Sequence, residues 1–498
     1  MSHFSLRRIV MLSSGKTINT PTLLLFCFFT GAIRGILEAI FFEPQVFNSL
    51  MMLPYIPFYI AMFLGILILL KYVGGLSESR VYRVPLVALF LGLLPPILDI
   101  IISGRPDTPF RYAYYLHVFT DIPLPSGFFV FFMPEQSVPM GEAITVWLTI
   151  AFAALYAYLQ GANLLRTIFM LIAVYLLFFF HSYILPSLLQ TWYTTKKTEF
   201  HNLELRLVLP LLQILAAVFT YMLLRRISIK YILKRLLHIA PFMLLLAYGM
   251  LTANQSNTAI ILFLILHFLL FFSMIVQNDF FDQKEDRLQK RIIHFDAGDV
   301  FFFTAITVFT LILLAVAGKM YALFASLILV CGILYSFPFY RAKGRLFATM
   351  KFEGLWGALS YLGGLITLAP ITSRISNETL VVLSIIFCGW SFFSLFKDIK
   401  DVRTDYKTKN NSFYIWFYKK KWGLRKAHHF LMGIATLGLL VPTIYLFIQQ
   451  RIILSVSLLC ITILFFFIGY KIRLRHRTNA LLAVLNIYLL FYLSQFYS

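Results

Sequence analysis

Residues 258–286 read TAIILFLILHFLLFFSMIVQNDFFDQKED and are the segment most informative about the fold. Its first part, residues 258–277, is almost entirely apolar, and about 20 such residues in one helix span the hydrocarbon core of a bilayer. The run is followed by a polar segment that includes Asn278, Asp279, Asp282 and Asp286, whose side chains carry an amide or carboxylate oxygen. Positions 278, 282 and 286 are four residues apart, so they share one helix face. The stretch therefore predicts a transmembrane helix with an acidic stripe at one end.

A second acidic stretch follows a later apolar run, at 378–396. It contains Asp398, Asp401 and Asp405, whose spacing of three and then four residues also makes one stripe. Carboxylates are scarce in this chain, which has 21 Asp and Glu among 498 residues. If the two stripes face each other, they form an oxygen-rich site for a hard divalent cation. Mg²⁺ that holds a diphosphate is the chemistry such a site predicts.

The composition is that of a polytopic membrane protein. The chain is 60% hydrophobic and has a mean hydropathy of +0.82, which argues against a soluble enzyme. We count about fifteen apolar runs long enough to cross a bilayer. They lie at 20–42, 54–70, 84–102, 142–160, 165–186, 207–224, 236–252, 258–277, 299–317, 320–337, 354–371, 378–396, 428–447, 452–470 and 479–496. The expected fold is all-α.

The basic residues predict the orientation of the chain. The net charge is +22, but Lys and Arg cluster in alternate loops between the apolar runs, a pattern that argues for a membrane protein and against nucleic-acid binding. By the positive-inside rule, these loops are cytoplasmic. Both acidic stretches then face the cytoplasm, and Arg7, Arg8 and Lys16 place the N-terminus inside. We expect an integral, multi-pass protein of a bacterial cell membrane.

A basic connection at 225–235 predicts the boundary between two regions. Residues 1–230 form a membrane region of about six helices, with no motif that indicates a reaction. Residues 231–498 contain nine apolar runs, and the two acidic stretches follow the second and the sixth of these. The chemistry is therefore expected in the second region.

The second region resembles the UbiA family of intramembrane prenyltransferases, which has nine transmembrane helices and two aspartate-rich motifs. The first motif, NDxxDxxxD, is complete at residues 278–286. The second, DxxxD, is present at Asp401 and Asp405, preceded by Lys397 and Asp398. Residues 335–343 read YSFPFYRAK, similar to the family's YSxPPxRxK segment. The resemblance covers the last ~260 residues, about the size of one domain.

The resemblance implies a Mg²⁺-dependent transfer of a prenyl or polyprenyl group. The donor is an isoprenyl diphosphate, and the acceptor is a hydrophobic molecule such as a quinone precursor, an aromatic compound or a membrane lipid. It implies that Asp279, Asp282, Asp286, Asp398, Asp401 and Asp405 bind the metal. Asn278, Arg341, Lys343 and Lys397 are then the candidates for binding the diphosphate. Asp282, Asp401 and Tyr335 are the candidates for catalysis. Thr404 and residues 351–357 depart from the family pattern.

Several alternatives stay open. Each acidic stretch taken singly could be a solvated helix end, and Arg341 and Lys343 could simply anchor helices at the membrane surface. A protein of the same fold could transfer a phosphoribosyl group to a polyprenyl phosphate, because diphosphate is again the leaving group. A non-enzymatic transporter is a third alternative, although transporter sites are typical of the bilayer midplane.

The N-terminal region contains charges inside its apolar runs. Arg34 and Glu38 are four residues apart and can pair on one helix face, and Asp99 follows Pro95 and Pro96 in another run. An intramembrane charge costs about 2.5–3.5 kcal/mol on insertion scales, so each of these side chains should face a partner. A local ion pair that settles helix packing is the favoured interpretation, with a polar path or a docking surface as the alternative.

Overall fold

The computed structural model describes fifteen parts of the chain, and every structural statement below concerns these residues. They are 20–41, 55–83, 91–103, 126–132, 140–185, 202–255, 257–283, 295–317, 319–337, 345, 347–367, 376–395, 413–420, 423–470 and 478–493. Within them, all regular structure is helical, with seventeen α-helices, a 3₁₀ segment at Ser126–Phe132 and a π turn at Phe180–Ile184. The chain divides into two compact units, Met1–Ser228 and Ile229–Ser498.

The described residues of the N-terminal unit form six long helices and one short one. They are α1 (Thr20–Phe41), α2 (Tyr55–Tyr72), the short α3 (Glu78–Val81), α4 (Leu94–Ser103), α5 (Met140–Leu159), α6 (Leu164–Phe179) and α7 (Asn202–Leu224). Helix α2 lies at the centre, since it contacts α1, α6 and α7. Helix α5 packs between α4 and α6. Asp99 of α4 accepts a hydrogen bond from the Gly141 backbone N–H at 2.6 Å, so this buried carboxylate caps the start of α5.

The C-terminal unit contains nine long helices and one short one in its described residues. They are α8 (Ile229–Thr252), α9 (Asn257–Phe281), α10 (Ala297–Ala317), α11 (Lys319–Ser336), α12 (Ala348–Ile366), α13 (Asn377–Ser394), the short α14 (Phe413–Lys419), α15 (Gly423–Ile448), α16 (Ile452–Tyr470) and α17 (Thr478–Leu493). Each long helix packs against the next long one along the chain, and α17 packs against α8. The bundle therefore closes on itself, with a further contact between α8 and α12 across it.

The helices have the length and composition of membrane spans. Eight described helices are long and apolar enough to cross a bilayer, and six shorter apolar helices accompany them. Large apolar side chains face outward, as on α16, where Ile453 is 86% exposed and Phe467 is 66% exposed. Such a surface suits lipid and would be unusual in water. The prediction of an all-α, multi-pass membrane protein is confirmed, and each of the fifteen predicted runs overlaps one described helix.

Glycine allows helices α8 and α12 to approach closely. A methyl group at Gly249 of α8 would collide with the Tyr361 carbonyl oxygen of α12, and one at Gly364 would collide with the Leu246 carbonyl oxygen. Membrane helices associate without a hydrophobic driving force between them, so small residues that let backbones meet supply much of the packing energy. The position of α8 against α12 therefore depends on these glycines.

We expect Gly249→Ala to lower the free energy of unfolding by about 1–3 kcal/mol, because the added methyl group must push α8 away from α12. Unfolding of the purified protein in mixed micelles by a denaturing detergent measures this change. Gly433→Ala in α15 is the matched control, since nothing lies within 4 Å of the added methyl group. The control should be neutral, or stabilising by up to about 1 kcal/mol. Equal effects of the two substitutions would contradict the close approach.

Helix α9 runs through the interior and carries the first acidic stretch to its end. It packs against α8, α10 and α11, and Leu266, Leu270 and Val276 are fully buried along it. His267 lies between the Tyr321 hydroxyl, 2.7 Å from its Nδ1, and the Ser360 hydroxyl, 3.1 Å from its Nε2. This histidine is hydrogen-bonded on both ring nitrogens and holds α9 to α11 and α12.

Candidate functional site

The last turn of α9 positions the first acidic stretch. Asn278 and Asp279 lie within the helix, and the Asp282 backbone N–H donates to the Asn278 carbonyl oxygen at 2.9 Å. The helical hydrogen-bond pattern therefore continues to Asp282, so that residues 278 and 282 are one turn apart, as the spacing predicts. A helix C-terminus carries a partial negative charge, which makes carboxylates unfavourable there unless cations stand nearby.

Among the residues that the structure describes, the cation paired with Asp279 comes from α8. Arg235 forms an ion pair with the Asp279 carboxylate through Nη2, and the Tyr231 hydroxyl donates to the same carboxylate oxygen, Oδ2, at 2.7 Å. Asp279 is only 7% exposed, so this is a buried, charge-assisted contact. Tyr231, Arg235 and Asp279 form one cluster, which we call the Asp279 cluster.

Helix geometry explains why α8 can supply both partners. Tyr231 and Arg235 are four residues apart and so lie on the same face, with the guanidinium carbon 5.2 Å from the centroid of the tyrosine ring. Arg235 Nε is buried and has no hydrogen-bond partner among the described residues. A buried donor without a partner calls for an explanation, and one explanation is an acceptor brought by a ligand.

The end of α11 lies beside the same acidic stretch. The Ser336 hydroxyl donates to the Asn278 side-chain oxygen at 2.7 Å, and Ser336 is buried. Tyr335 packs edge-on against Trp356 and Phe352 of α12, with ring centroids 5.3 Å and 5.9 Å away. The structure thus brings together two segments that are separated by more than fifty residues, the first acidic stretch and the start of the YSFPFYRAK segment.

A further buried carboxylate lies on α12. Glu353 is 7% exposed, and the Trp390 indole N–H of α13 donates to its Oε2 at 3.4 Å. Gly354 next to it lies against Ser391 of α13, so that α12 and α13 are close at this point. Glu353 is one of the residues at which the sequence departs from the family pattern. Because Glu353 is buried where α12 meets α13, this departure from the family pattern lies in the contact between these two helices.

Seven of the predicted site residues lie outside the described parts of the chain. They are Asp286, Arg341, Lys343, Lys397, Asp398, Asp401 and Asp405. Their roles, and the meeting of the two acidic stretches, stay predictions. Within the described residues, no group of three or more His, Cys, Asp or Glu side chains is arranged to hold a metal ion.

The described donors have the chemistry that a hard cation requires. Asn278, Asp279 and Asp282 offer only oxygen ligands, which Mg²⁺ prefers, and Mg²⁺ sites in proteins use one or two carboxylates together with substrate phosphates. Arg235 contacts Asp279 through Nη2, and its Nε–H, which has no partner among the described residues, is a donor of the kind that suits a phosphate oxygen. These residues therefore fit a magnesium-bound diphosphate.

Sequence reasoning missed two members of this site, Tyr231 and Arg235. It counted Arg235 among the basic residues of a loop, whereas the structure places both residues inside α8. The sequence did contain a signal for this contact. Arg235 directly precedes the long apolar run at 236–252, and a charge at that position needs a partner. The sequence could not identify that partner, since Asp279 is 44 residues away along the chain.

Comparison with known proteins gives one family. Residues 236–492 match the UbiA prenyltransferase family. Two solved structures are similar in fold, both of a UbiA homolog from Archaeoglobus fulgidus. The one bound to GPP and Mg²⁺ has 17% identity and a TM-score of 0.40, and the similarity covers 53% of this chain and 98% of that one. The one bound to DMAPP and Mg²⁺ has 18% identity and a TM-score of 0.39, with 52% and 96% covered.

No curated protein matches the chain. The family match begins within α8 and does not extend into the N-terminal unit. The matched range includes Asp279 on α9 and both acidic stretches. Because it covers 257 of the 498 residues (236 through 492), just over half of the chain, the protein belongs to the UbiA prenyltransferase family.

Proposed function

We propose that this protein transfers a prenyl or polyprenyl group from an isoprenyl diphosphate to a lipid-soluble acceptor in a Mg²⁺-dependent reaction. The single observation that carries the proposal is the Asp279 cluster at the end of α9, where a buried carboxylate is fixed by Tyr231 and Arg235. Family membership supplies the reaction class, and the cluster supplies a place for the charged headgroup. A quinone precursor, another aromatic compound or a lipid is the acceptor class that the proposal includes.

The reaction breaks the bond between the first prenyl carbon and the diphosphate oxygen, and the electron pair leaves with the diphosphate. Bound Mg²⁺ would supply the positive charge that offsets the charge developing on this leaving group. The remaining allylic cation is captured by the acceptor, which forms the new bond and loses a proton. The protein must therefore hold the headgroup, neutralise it and keep water from the cation.

Two sets of residues hold the headgroup in this proposal. Asp279, Asp282 and Asp286 of the first stretch, with Asp398, Asp401 and Asp405 of the second, would hold the metal. Asn278, Arg341, Lys343 and Lys397 would contact the diphosphate, and Arg235 joins them, because its Nε is a buried donor without a partner among the described residues. A guanidinium offers donors in a fixed planar arrangement that suits phosphate oxygens.

The prenyl chain would lie against the aromatic side chains next to the headgroup. Tyr335, Phe352 and Trp356 contact one another at the ends of α11 and α12. Aromatic faces attract a cation and exclude water, so this group supports the allylic cation without reacting with it. Tyr335 precedes Ser336, which bonds Asn278, and packs against Trp356 and Phe352, so we assign it the catalytic role of stabilising that cation.

The membrane orientation is part of the proposal. The basic loops place both acidic stretches and the N-terminus on the cytoplasmic side. A water-soluble diphosphate headgroup would then enter from the cytoplasm while the prenyl tail lies among the helices. The acceptor would reach the same site from the lipid.

Incubation of the purified full chain with labelled donors tests the proposal. We expect the protein with Mg²⁺ to consume labelled farnesyl diphosphate and release diphosphate, and to leave labelled phosphoribosyl diphosphate intact. A hydroxylated aromatic acid and a polyprenyl phosphate serve as the two acceptor types. Chelation of the metal should stop the reaction, because the leaving group then carries its full charge.

Matched variants show whether the reaction belongs to the predicted site. Asp401→Ala should abolish diphosphate release. Glu378→Ala should leave it unchanged, since this exposed carboxylate lies at the opposite end of α13 from the second acidic stretch. Consumption of phosphoribosyl diphosphate alone, or full activity of Asp401→Ala, would overturn the proposal.

A further inference from the structure

A cavity of about 90 Å³ lies inside the N-terminal unit, between α1, α2 and α5. One water molecule needs about 10–15 Å³ on this scale, so the space is large enough for several waters or for part of a lipid chain. Along α2 the lining extends from Phe58 to Leu70, a distance of about 18 Å at 1.5 Å per residue. The cavity is therefore elongated along the helices.

One end of this cavity is polar. Arg34 of α1 and Glu142 of α5 form an ion pair there, with 2.7 Å between Nη2 and Oε2. The Tyr59 hydroxyl of α2 accepts a further hydrogen bond from Arg34. The buried hydroxyl-bearing side chains of Thr30 and Thr145 line the same end. Three helices thus contribute hydrogen-bonding groups to one place on the wall.

The rest of the cavity is mostly apolar. Its wall away from the ion pair includes Ile66, Leu70 and Phe152. Tyr156 marks this far end, and its hydroxyl donates to the Arg80 carbonyl oxygen at 2.7 Å. The cavity therefore has the two-part character of an amphipathic molecule, with a polar end and a long apolar body.

Helix packing alone is a weak explanation for the charges at the polar end. The side chains of Arg34 and Glu142 are 3% and 12% exposed, and desolvating two ions opposes their mutual attraction. Apolar residues of similar volume usually pack helices as well or better. A polar function that uses the pair is the alternative explanation, and the cavity beside it provides the space for one.

We propose that this cavity is a binding site for a neutral lipid that carries a hydroxyl headgroup. A hydroxyl both donates and accepts a hydrogen bond, so it can bond to the carboxylate of Glu142 and to the guanidinium of Arg34 together. A charged headgroup would gain no net attraction, because the opposite charges of Arg34 and Glu142 offset each other. The cavity belongs to the N-terminal unit, whereas the acidic stretches belong to the C-terminal unit, and the proposal is independent of the transferase activity.

Photolabelling of the full chain with headgroup-matched probes tests this site. The probes are diazirine-bearing chains of equal length that end in an alcohol, a carboxylate, an amine or a plain methyl group. We expect the alcohol to label cavity-lining peptides of α2 and α5, and an excess of the unlabelled long-chain alcohol to abolish that labelling. Labelling by the other probes should be weak and not displaceable, as for bulk lipid.

Two variants distinguish probe binding in the cavity from probe binding at the outer surface of α5. Val146→Phe fills the cavity and should lower the displaceable labelling at least ~10-fold. Leu148→Phe is the matched control, since Leu148 is 46% exposed and does not line the cavity. Equal labelling of the two variants would overturn the proposal.

A third variant keeps the test decisive if Val146→Phe does not fold. Glu142→Gln preserves the shape of the side chain and leaves the Arg34 charge without its counter-charge. Displaceable labelling should then shift from the alcohol probe to the carboxylate probe. An unchanged preference for the alcohol, or labelling in the wild type that no competitor displaces, would show that the charge pair has no role in binding a lipid headgroup.

Discussion

Asp282→Asn should lower the rate of Mg²⁺-dependent diphosphate release by about 10²- to 10³-fold, the usual cost of removing one group that stabilises charge in a transition state. The substitution keeps the size of the side chain and removes its negative charge, so that the metal loses a ligand of the first stretch. Asp282 is only half-buried, and its backbone bond to Asn278 does not depend on the side chain. We therefore expect the free energy of unfolding to change by less than about 1 kcal/mol. Diphosphate release by the purified variant measures the effect.

Asp296→Asn is the control for this prediction. Asp296 precedes α10, is exposed, and its side chain accepts a hydrogen bond from the Asp299 backbone N–H at 2.9 Å. Asparagine caps a helix as well as aspartate does, so the control should retain both activity and stability. Undiminished turnover in Asp282→Asn would remove this residue from the metal site.

Arg235→Met should destabilise the protein by about 3–5 kcal/mol, because it leaves the buried Asp279 carboxylate without its cation. Methionine preserves much of the volume of the arginine stem, so the loss measures the charge more than the packing. Unfolding in mixed micelles with a denaturing detergent gives the free-energy difference. Lys234→Met next to it is the control and should change stability by less than about 0.5 kcal/mol, since Lys234 is exposed.

A double-mutant cycle identifies Asp279 as the partner. Asp279→Asn removes the charge that Arg235 faces, so the combination with Arg235→Met should be more stable than the sum of the two single losses predicts. We expect an interaction free energy of about 1.5 kcal/mol or more. Additive effects would show that the ion pair between α8 and α9 does not contribute to stability.

Local sequence patterns were sufficient to predict the helices. The run at 258–277 has the length of a membrane span, and α9 is found there with Asn278 and Asp279 in its last turn. Hydropathy did not predict the start of helix α12. This helix begins at Ala348, several residues before the predicted run at 354–371. Its first turns contain Lys351 and Glu353, which lower the local hydropathy although the backbone is helical.

The cross-helix contacts could not be predicted from spacing. Arg34 was expected to pair with Glu38 on its own helix, and the structure shows an ion pair with Glu142, 108 residues away. The Glu38 side chain lies outside the described residues, so that pairing stays a prediction. Tyr231 and Arg235 were missed for the same reason, since only the packing of α8 against α9 brings them to Asp279.

We propose that the two acidic stretches hold one metal-bound diphosphate, and the described residues contain only residues 278–283 of the first stretch. The most direct measurement is the affinity for a non-hydrolysable isoprenyl thiodiphosphate in the presence of Mg²⁺. It is made on the wild type, on Asp282→Asn, on Asp401→Asn and on the double variant. If both stretches bind one headgroup, each single change should weaken binding by about 10-fold or more, and the double change should weaken it by much less than the product. Independent effects that multiply, or a single change without effect, would contradict the claim.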